Sequence, residues 1–516
     1  MIKTVIRKGA YFDSVALMQV AKRLNAMPGV IDSAVVMATA ENKGIIKASG
    51  LLTPEVQRAG DSDLAIAVSA KTPAALEAAL AEAQGLLDRK PPAAAGADRK
   101  AAGLDEAAAA LDGANLAVIS VAGRFAGGLA DDCLRKGLNV LLFSDNVPVE
   151  TEVALKKTAS SRGLLVMGPD CGTAIINGPP LAFANAVNRG NIGVVAASGT
   201  GAQEVTALIS NEGAGISQCI GTGGRDVKEA VGAITFIQAL RMLAADENTG
   251  VILLVGKPPA PAVLKKILAE VRKVKKPVVA VLLGGEIREK VKDDFYPAKT
   301  LEEAAYKAAC LGKGLPLSRA RELIYDGNVK AEALARKEAA KKKKSRFLRG
   351  LFSGGTFVSE AQVILPEFAG EVRSNAPLDK RLRLENSMRL SGHAVVDLGE
   401  DEFTVGRPHP MIDFSLRNKL ILSEAAKPEV SVLLLDLVLG YGSNLKPLED
   451  ILPALSGAFK ANRELSVVAS VTGTEKDPQV RSKVVRALEA AGVLVMPSNA
   501  GACRLAGEIV RLGSKR

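Results

Sequence analysis

The sequence predicts a multidomain α/β protein built on helix-covered parallel sheets, with a small α/β domain ahead of them. Three observations predict it. At 516 residues the chain is too long for one hydrophobic core and divides into three or four domains. Short apolar runs such as Leu116 to Val121, Val140 to Phe143 and Gly250 to Val255 alternate with helical patterns, as strands buried on both faces of a parallel sheet do. One strand-turn-helix stretch also occurs twice. From Gly193 it reads Gly-Val-Val-Ala-Ala-Ser198-Gly199-Thr200-Gly201-Ala-Gln203-Glu204, and from Gly350 it reads Gly-Leu-Phe-Ser353-Gly354-Gly355-Thr356-Phe-Val-Ser-Glu360.

Residues 1–89 alternate a strand over Thr4 to Arg7, a helix over Ser14 to Leu24, strands over Ser33 to Ala38 and Leu64 to Ser69, and a helix over Pro73 to Leu87. Val15, Val20 and Leu24 share one helical face, and Pro28-Gly29 stops that helix. This is the expected small α/β sandwich, followed by a Pro- and Ala-rich linker up to Gly103. A second domain, 104–185, runs strand, helix, strand (Val140 to Phe143), helix (Thr151 to Ser161), strand (Leu164 to Met167), and then into Gly168-Pro169-Asp170-Cys171. The repeated units follow, 190–317 and 347–513. Gly250 to Val255 in the first is echoed by Val430 to Leu435, and Lys276 to Gly285 by Glu464 to Gly473. Gly221-Thr-Gly223-Gly224-Arg225-Asp226 falls where the second unit has Val405-Gly406-Arg407-Pro408-His409-Pro410, after an insertion. The charged stretch Lys330 to Lys344 between the units reads as a solvated helix and linker.

Composition narrows the function. With 48% hydrophobic and 24% charged residues the chain is globular. No run approaches the 18 or so apolar residues of a membrane span, and Met1 to Lys8 lacks the apolar core of a signal peptide, so a cytoplasmic, non-membrane protein is expected. Five scattered cysteines suggest reduced thiols, and no Cys/His spacing suggests a metal. The net charge of +11 is concentrated in tracts such as Lys341 to Lys344, and aromatics are only 3%. Stacking platforms for nucleic acid are therefore scarce, and small anionic ligands fit better.

A strand that ends in a Ser/Gly/Thr turn leaves the first N–H groups of the next helix unpaired at the positive end of its dipole. That place favours phosphate or carboxylate. Ser198, Gly199, Thr200 and Gly201, with Gly223 and Gly224, and Ser353, Gly354, Gly355 and Thr356 are therefore candidate phosphate-binding residues, the alternative being an ordinary capped connection. Arg225 and Arg407 each follow a glycine and offer bidentate forks. His409, stiffened by Pro408 and Pro410, suits an acid, base or anion donor near neutral pH, and these three are the catalytic candidates. Asp170 and Asp226 orient substrate amides or cap turns. Thr472 and Gly473 are further ligand contacts. His393, between Gly392 and a strand, reads as structural. No Ser-His-Asp order, paired-carboxylate motif or P-loop is present.

From Asn115 to about Gly285 the chain resembles the α subunit of succinyl-CoA synthetase. Gly168-Pro169-Asp170-Cys171, Ser198-Gly199-Thr200, Gly221 to Asp226 and the runs Val251 to Gly256 and Pro277 to Leu283 carry the likeness. With the N-terminal domain, Phe352-Ser-Gly-Gly-Thr356 and Gly406 to Asp413, nearly the whole chain resembles the FdrA family. The resemblance implies Rossmann- and flavodoxin-like domains, with 104–185 like the ligases' CoA-binding domain and 190–317 and 347–513 like their ligase units. It implies acyl or carbamoyl transfer, with three readings. In oxamate carbamoyltransferase, oxalurate and phosphate exchange with oxamate and carbamoyl phosphate in purine-ring catabolism. An acyl-CoA synthetase uses CoA and ATP-Mg, and a scaffold subunit has no chemistry of its own. Gly284 to Leu311 contains no histidine where the ligases carry a phosphohistidine, and the ligases' Gly-rich CoA loop is replaced by the N-terminal segment, which favours carbamoyl transfer with no resident cofactor. Homo-oligomers or hetero-oligomers with partner subunits are expected.

Overall fold

Residues 1–514 are described by a computed structural model, apart from 11, 13, 89–100, 102, 286, 288, 342–346 and 405–407. Met1–Asp112 with Glu400–His409 form one unit, and Gly113–Gly399 with Pro410–Arg516 form another.

In the first unit, strands β1 (Ile2–Arg7), β2 (Val30–Met37) and β3 (Leu64–Ala70) make an antiparallel sheet ordered β1-β3-β2. Helix α1 (Ser14–Asn25) follows β1, α2 (Ala40–Ala48) and α3 (Pro54–Arg58) follow β2, and α4 (Pro73–Asp88) and α5 (Leu104–Ala110) follow β3. Central β3 is apolar from Leu64 to Val68 because both its faces are covered. Leu64, Ile66 and Val68 join one core with Leu17, Val20, Leu24 and Leu80, while Ala65 and Ala67 join another with Ile46, Leu51 and Val56.

The second unit begins with a parallel three-stranded sheet, β4 (Leu116–Ile119), β5 (Asn139–Leu142) and β6 (Val166–Met167), connected by α6 (Gly123–Arg135) and α7 (Val149–Ser161). Then come β7 (Thr173–Ile175), β8 (Pro180–Ala182), β9 (Arg189–Ala197), α8 (Gly199–Asn211), β10 (Ile216–Gly221), α9 (Ile234–Ala245), β11 (Val251–Gly256), α10 (Pro261–Val271), β12 (Val278–Leu282), β13 (Phe295–Ala298), α11 (Leu301–Gly312) and α12 (Leu317–Ala340). Their sheet is ordered β13-β12-β11-β9-β10-β7-β8. β7 and β8, within the stretch expected to belong to the 104–185 domain, run antiparallel on the edge of this sheet.

The remainder reads β14 (Phe347–Phe352), α13 (Gly355–Ile364), α14 (Pro366–Ala369), β15 (Val372–Ser374), β16 (His393–Asp397), α15 (Asp401–Thr404, in the first unit), α16 (Ser415–Ala425), β17 (Val430–Val438), α17 (Pro447–Ala461), β18 (Ser466–Thr472), α18 (Arg481–Ala490), β19 (Leu494–Met496) and α19 (Asn499–Ser514). The all-parallel sheet is ordered β15-β16-β14-β17-β18-β19. Its run β19-β18-β17-β14-β16 reproduces β13-β12-β11-β9-β10. In the first repeat β10 returns to one side of β9 and β11 to β13 extend the other, while in the second β15 and β16 both lie on one side of β14, β16 being its neighbour, and β17 to β19 extend the other. One hydrophobic core takes Val194, Ala202 and Val205 from the first repeat and Phe357, Leu434 and Ile509 from the second.

Helix α12 corrects the expectation of a solvated spacer. Ala331, Ala335 and Ala339, spaced four apart, are buried as the helix packs along α19, and the charges occupy its other faces. Among the described residues no helix is long and apolar enough to cross a membrane, and all five cysteines are free and buried.

Candidate functional site

The two Ser/Gly/Thr turns lie at the carboxyl ends of β9 and β14, where open parallel sheets bind ligands. In the first, Ser198 is extended and caps α8, its Oγ accepting from Gly201 N at 3.0 Å. A Cβ on Gly201 would lie 2.4 Å from that Oγ, so the cap requires glycine there. Gly199 is exposed. The N–H groups of Gly199 and Thr200 precede any intrahelical partner and face the open end of the helix.

The second turn is different, and this corrects the expectation of two equivalent anion sites. Asp436, on β17, already fills it. Ser353 N and Ser353 Oγ donate to its two carboxylate oxygens at 2.8 and 2.7 Å, and Gly354 N donates at 3.1 Å. Arg417 of α16 donates to the same carboxylate at 3.2 Å and to the Asp436 carbonyl at 2.7 Å. A second carboxylate, Asp397, would sit 2.2 Å from a Cβ on Gly355. The positive end of α13 is thus neutralised by the protein's own acids. Burial pushes the Asp436 carboxyl up and the Arg417 guanidinium down, each opposed by the other's charge.

The turns touch. Ser198 Oγ and Thr356 Oγ1 are 2.5 Å apart, and a Cβ on Gly354 would fall 2.7 Å from Thr200 Cγ2. Behind them two glutamates exchange caps between the repeats. Glu204 of α8 accepts from Asn499 N, at the start of α19, at 2.9 Å and from Thr472 Oγ1 at 2.5 Å. Glu360 of α13 accepts from Leu301 N, at the start of α11, at 2.7 Å and from Asn499 Nδ2 at 2.8 Å. A third, Glu302, accepts from Ser498 Oγ and Arg504. Burial pushes the Glu204 and Glu360 carboxyls up to about 7, against hydrogen bonds that favour their ionised forms.

The remaining expected residues divide. Thr222 N donates to Ala196 O, which brings the 221–226 loop beside the Ser198 turn. Gly223 packs on the Pro169 carbonyl, 2.3 Å from where its Cβ would be, and both Gly224 and Asp170 are exposed there. Asp226 instead caps α9 through Phe236 N at 2.7 Å and accepts from buried Lys156 at 2.7 Å. Lys156 also reaches Glu152 at 2.8 Å, and Arg225 is turned to Glu152 at 3.0 Å and to the Val147 carbonyl at 2.7 Å. Asp226 and Arg225 therefore tie α7 to the first repeat, Asp226 through a buried charge pair with Lys156 and Arg225 from a position 40% exposed. Thr472 is spent on Glu204, and the Gly473 carbonyl accepts from Asn211 at 3.0 Å.

Arg407 lies outside the described residues. His409 belongs to the first unit, whereas both turns belong to the second, and burial pushes its imidazole down to about 4. It is neutral near pH 7. His393 Nδ1 accepts from Leu348 N at 3.2 Å, a hydrogen bond of the kind a structural histidine makes.

The chain is similar to several known proteins. The CoA-ligase family model covers residues 195–308 and 351–509, and one described as AllF, heavy metal-associated domain, covers residues 1–103. YahF of Escherichia coli (strain K12) is 42% identical, over 100% of this chain and 99% of its own. The succinate–CoA ligase [ADP-forming] subunit alpha 1 of Archaeoglobus fulgidus is 29% identical over 33% of this chain and 58% of that subunit. A solved dinucleotide-forming acetyl-coenzyme A synthetase 1 from Ca. Korarchaeum cryptofilum is 17% identical, covering 77% of this chain and 82% of that one with a TM-score of 0.32.

Neither group suggested by these names fits the residues present. Residues 1–103 contain no cysteine and no histidine, and the loop after β1 is held by Asp63, which accepts from Gly9 N at 3.0 Å and Gly60 N at 2.8 Å. A soft metal ion finds no thiolate or imidazole donor in residues 1–103. The turn leaving β4, Ser120-Val-Ala-Gly123, offers one glycine where a pyrophosphate cradle uses two or three, and that glycine is lodged against the Asp145 carbonyl, 2.2 Å from where its Cβ would be.

Proposed function

The chain belongs to the FdrA-like branch of the CoA-ligase family, and from that premise we propose that it is the carbamoyl-transferring subunit of an oxamate carbamoyltransferase. Oxalurate and phosphate would give oxamate and carbamoyl phosphate. The observation that carries this reading is the open Ser198 turn combined with the lack of any histidine between 284 and 311. A ligase-type relay needs a side chain to hold the phosphoryl group, whereas phosphorolysis of oxalurate needs only a place for phosphate. Phosphate at the Gly199 and Thr200 N–H groups has its charge stabilised by the α8 dipole. One phosphate oxygen attacks the ureido carbon, the C–N bond breaks, and the phosphate proton leaves with the oxamate nitrogen.

The test is direct. The chain, with whatever subunits co-purify, is given oxalurate and phosphate, and carbamoyl phosphate is measured. Its formation supports the reading, and its absence under conditions where the complex is intact rejects it. His409→Ala tests that residue separately: turnover falls if the neutral imidazole relays the proton and stays parental if it does not.

A second reading, an ADP-forming acid–CoA ligase, is favoured by the succinate–CoA ligase relative. It requires CoA-dependent ADP formation and an acid-labile phosphohistidine. Label from ATP on His393 or His409 would establish it. In either reading the chain works as one subunit of an oligomer, as the alpha-subunit names of its relatives suggest.

A further inference from the structure

Nine buried side-chain atoms among the described residues have no hydrogen-bond partner, and two belong to one guanidinium, Arg417 Nε and Nη2. Arg417 is 1% exposed, and Phe414 lies 4.1 Å from its Cζ, covering one face. Buried donors are almost always satisfied, and an idle arginine edge is costly. Asp436 cannot supply the missing acceptor. Its Oδ1 already takes Ser353 N and Arg417 Nη1, and its Oδ2 takes Ser353 Oγ and Gly354 N, which uses the roughly four lone-pair sites of a carboxylate. Nε and Nη2 form the side-on fork of the guanidinium. This chain uses that same edge elsewhere to grip carboxylates: Arg241 holds Glu270 at 2.9 and 2.8 Å, and Arg511 holds Glu508 at 2.8 and 3.0 Å. A third idle atom, Ser470 Oγ, sits on β18 directly across from Asp436 in the strand register, with its residue wholly buried.

We propose that Arg417 of α16 and Ser470, near the carboxyl end of β18, bind the carboxylate of a small anionic substrate, with Asp436 of β17 as the positioning residue that holds the guanidinium. The two-oxygen geometry of a carboxylate matches the idle edge, and the Ser470 hydroxyl adds a donor. The choice of oxamate as that substrate rests on the carbamoyl-transfer reading, but the carboxylate grip does not.

Calorimetric titration of the full-length chain with oxamate, and separately with succinate, tests the proposal. Arg417→Lys keeps the charge opposite Asp436 but loses the fork, and should weaken binding about ten- to hundredfold. Ser470→Ala removes a hydroxyl that bonds to nothing in the protein, so it should melt like the parent while binding several-fold more weakly. Oxamide, which lacks the carboxylate, should bind parent and Arg417→Lys alike. Parental affinity in folded Arg417→Lys and Ser470→Ala, or no binding of either acid to the parent, overturns the site. Binding that depends on Arg417 without any carbamoyl phosphate from oxalurate leaves the site standing and rejects only the carbamoyl-transfer reading.

Discussion

The two repeats carry nearly the same turn and put it to opposite uses. In the first, Ser198 caps its own helix and the exposed Gly199 leaves the α8 N-terminus open. In the second, Ser353 and Gly354 give their hydrogen bonds to Asp436. The difference lies one strand away. Ala197 pairs with Gly256 on β11, and the corresponding place on β17, one beyond the Leu351–Leu435 pair, is Asp436. Where the first repeat has no side chain the helix end stays available, and where the second has a carboxylate it is filled from within. The repeat has thus split into a half whose helix end is left open and a half whose own carboxylate holds an arginine.

Removing the filled half's carboxylate is the severest way to break that contrast. Asp436→Ala strands Arg417 as a buried charge without its carboxylate, so thermal or denaturant unfolding should show a loss of about 3–5 kcal/mol. Retention of parental stability would mean the carboxylate is not what neutralises Arg417. Next in size is Gly354→Ala, whose Cβ would lie 2.7 Å from Thr200 Cγ2 where the turns meet. Overpacking there should cost about 1–3 kcal/mol, whereas Gly199→Ala, with Thr173 Oγ1 at 3.6 Å, should melt near the parent. Equal melting of the two variants would deny that the turns are in contact.

Gly256→Asp sharpens the comparison by copying the second repeat into the first. The glycine has ordinary space, its Cβ 3.7 Å from Ala197 and 3.8 Å from Leu282, so the fold should tolerate the change. The new carboxylate should reach the Ser198 turn as Asp436 reaches Ser353. Phosphate affinity measured by titration should then fall about tenfold, some 1.4 kcal/mol, through occupancy and like-charge repulsion. Undiminished phosphate binding in a folded variant would show that phosphate does not use this turn.

Much of this was legible in the sequence. The period of the apolar strands, the duplicated turn and the echo of β11 in β17 are local patterns, and they yield the paired parallel sheets. What escaped depends on distance or on brevity. Asp436 lies 83 residues from Ser353, and no spacing announces a carboxylate that fills a turn from the neighbouring strand. Glu204 and Glu360 stand out as parallel letters in the two repeats, but their partners Asn499 and Leu301 are 295 and 59 residues away. β7 and β8 have three residues each, too few for a period, and the buried alanine stripe of α12 is masked by the charges around it. Arg225 and Asp226 looked poised for a ligand because their glycine-rich setting was visible and buried Lys156 and Glu152 were not.

The exchanged glutamate caps supply the smallest expected effect, and it concerns what the halves still share. Glu204 and Glu360 are each pushed up to about 7, well above an ordinary carboxyl, because burial outweighs the hydrogen bonds they accept. A carboxyl whose affinity for its proton is higher folded than unfolded favours the fold while both forms are protonated, below about pH 4.5, and that contribution is lost as pH rises through about 7. Between pH 6 and 8 each glutamate should remove on the order of 1 kcal/mol of stability. Glu204→Gln mimics the protonated side chain: its carbonyl still accepts from Asn499 N, and its amide donates to Thr472 Oγ1. Melting temperature should therefore fall less steeply from pH 6 to 8 in Glu204→Gln than in the parent, and less again with Glu360→Gln added. Parallel pH profiles for parent and double variant would show that these carboxyls do not change ionisation on folding, and that the reciprocal caps join the two repeats without regard to pH.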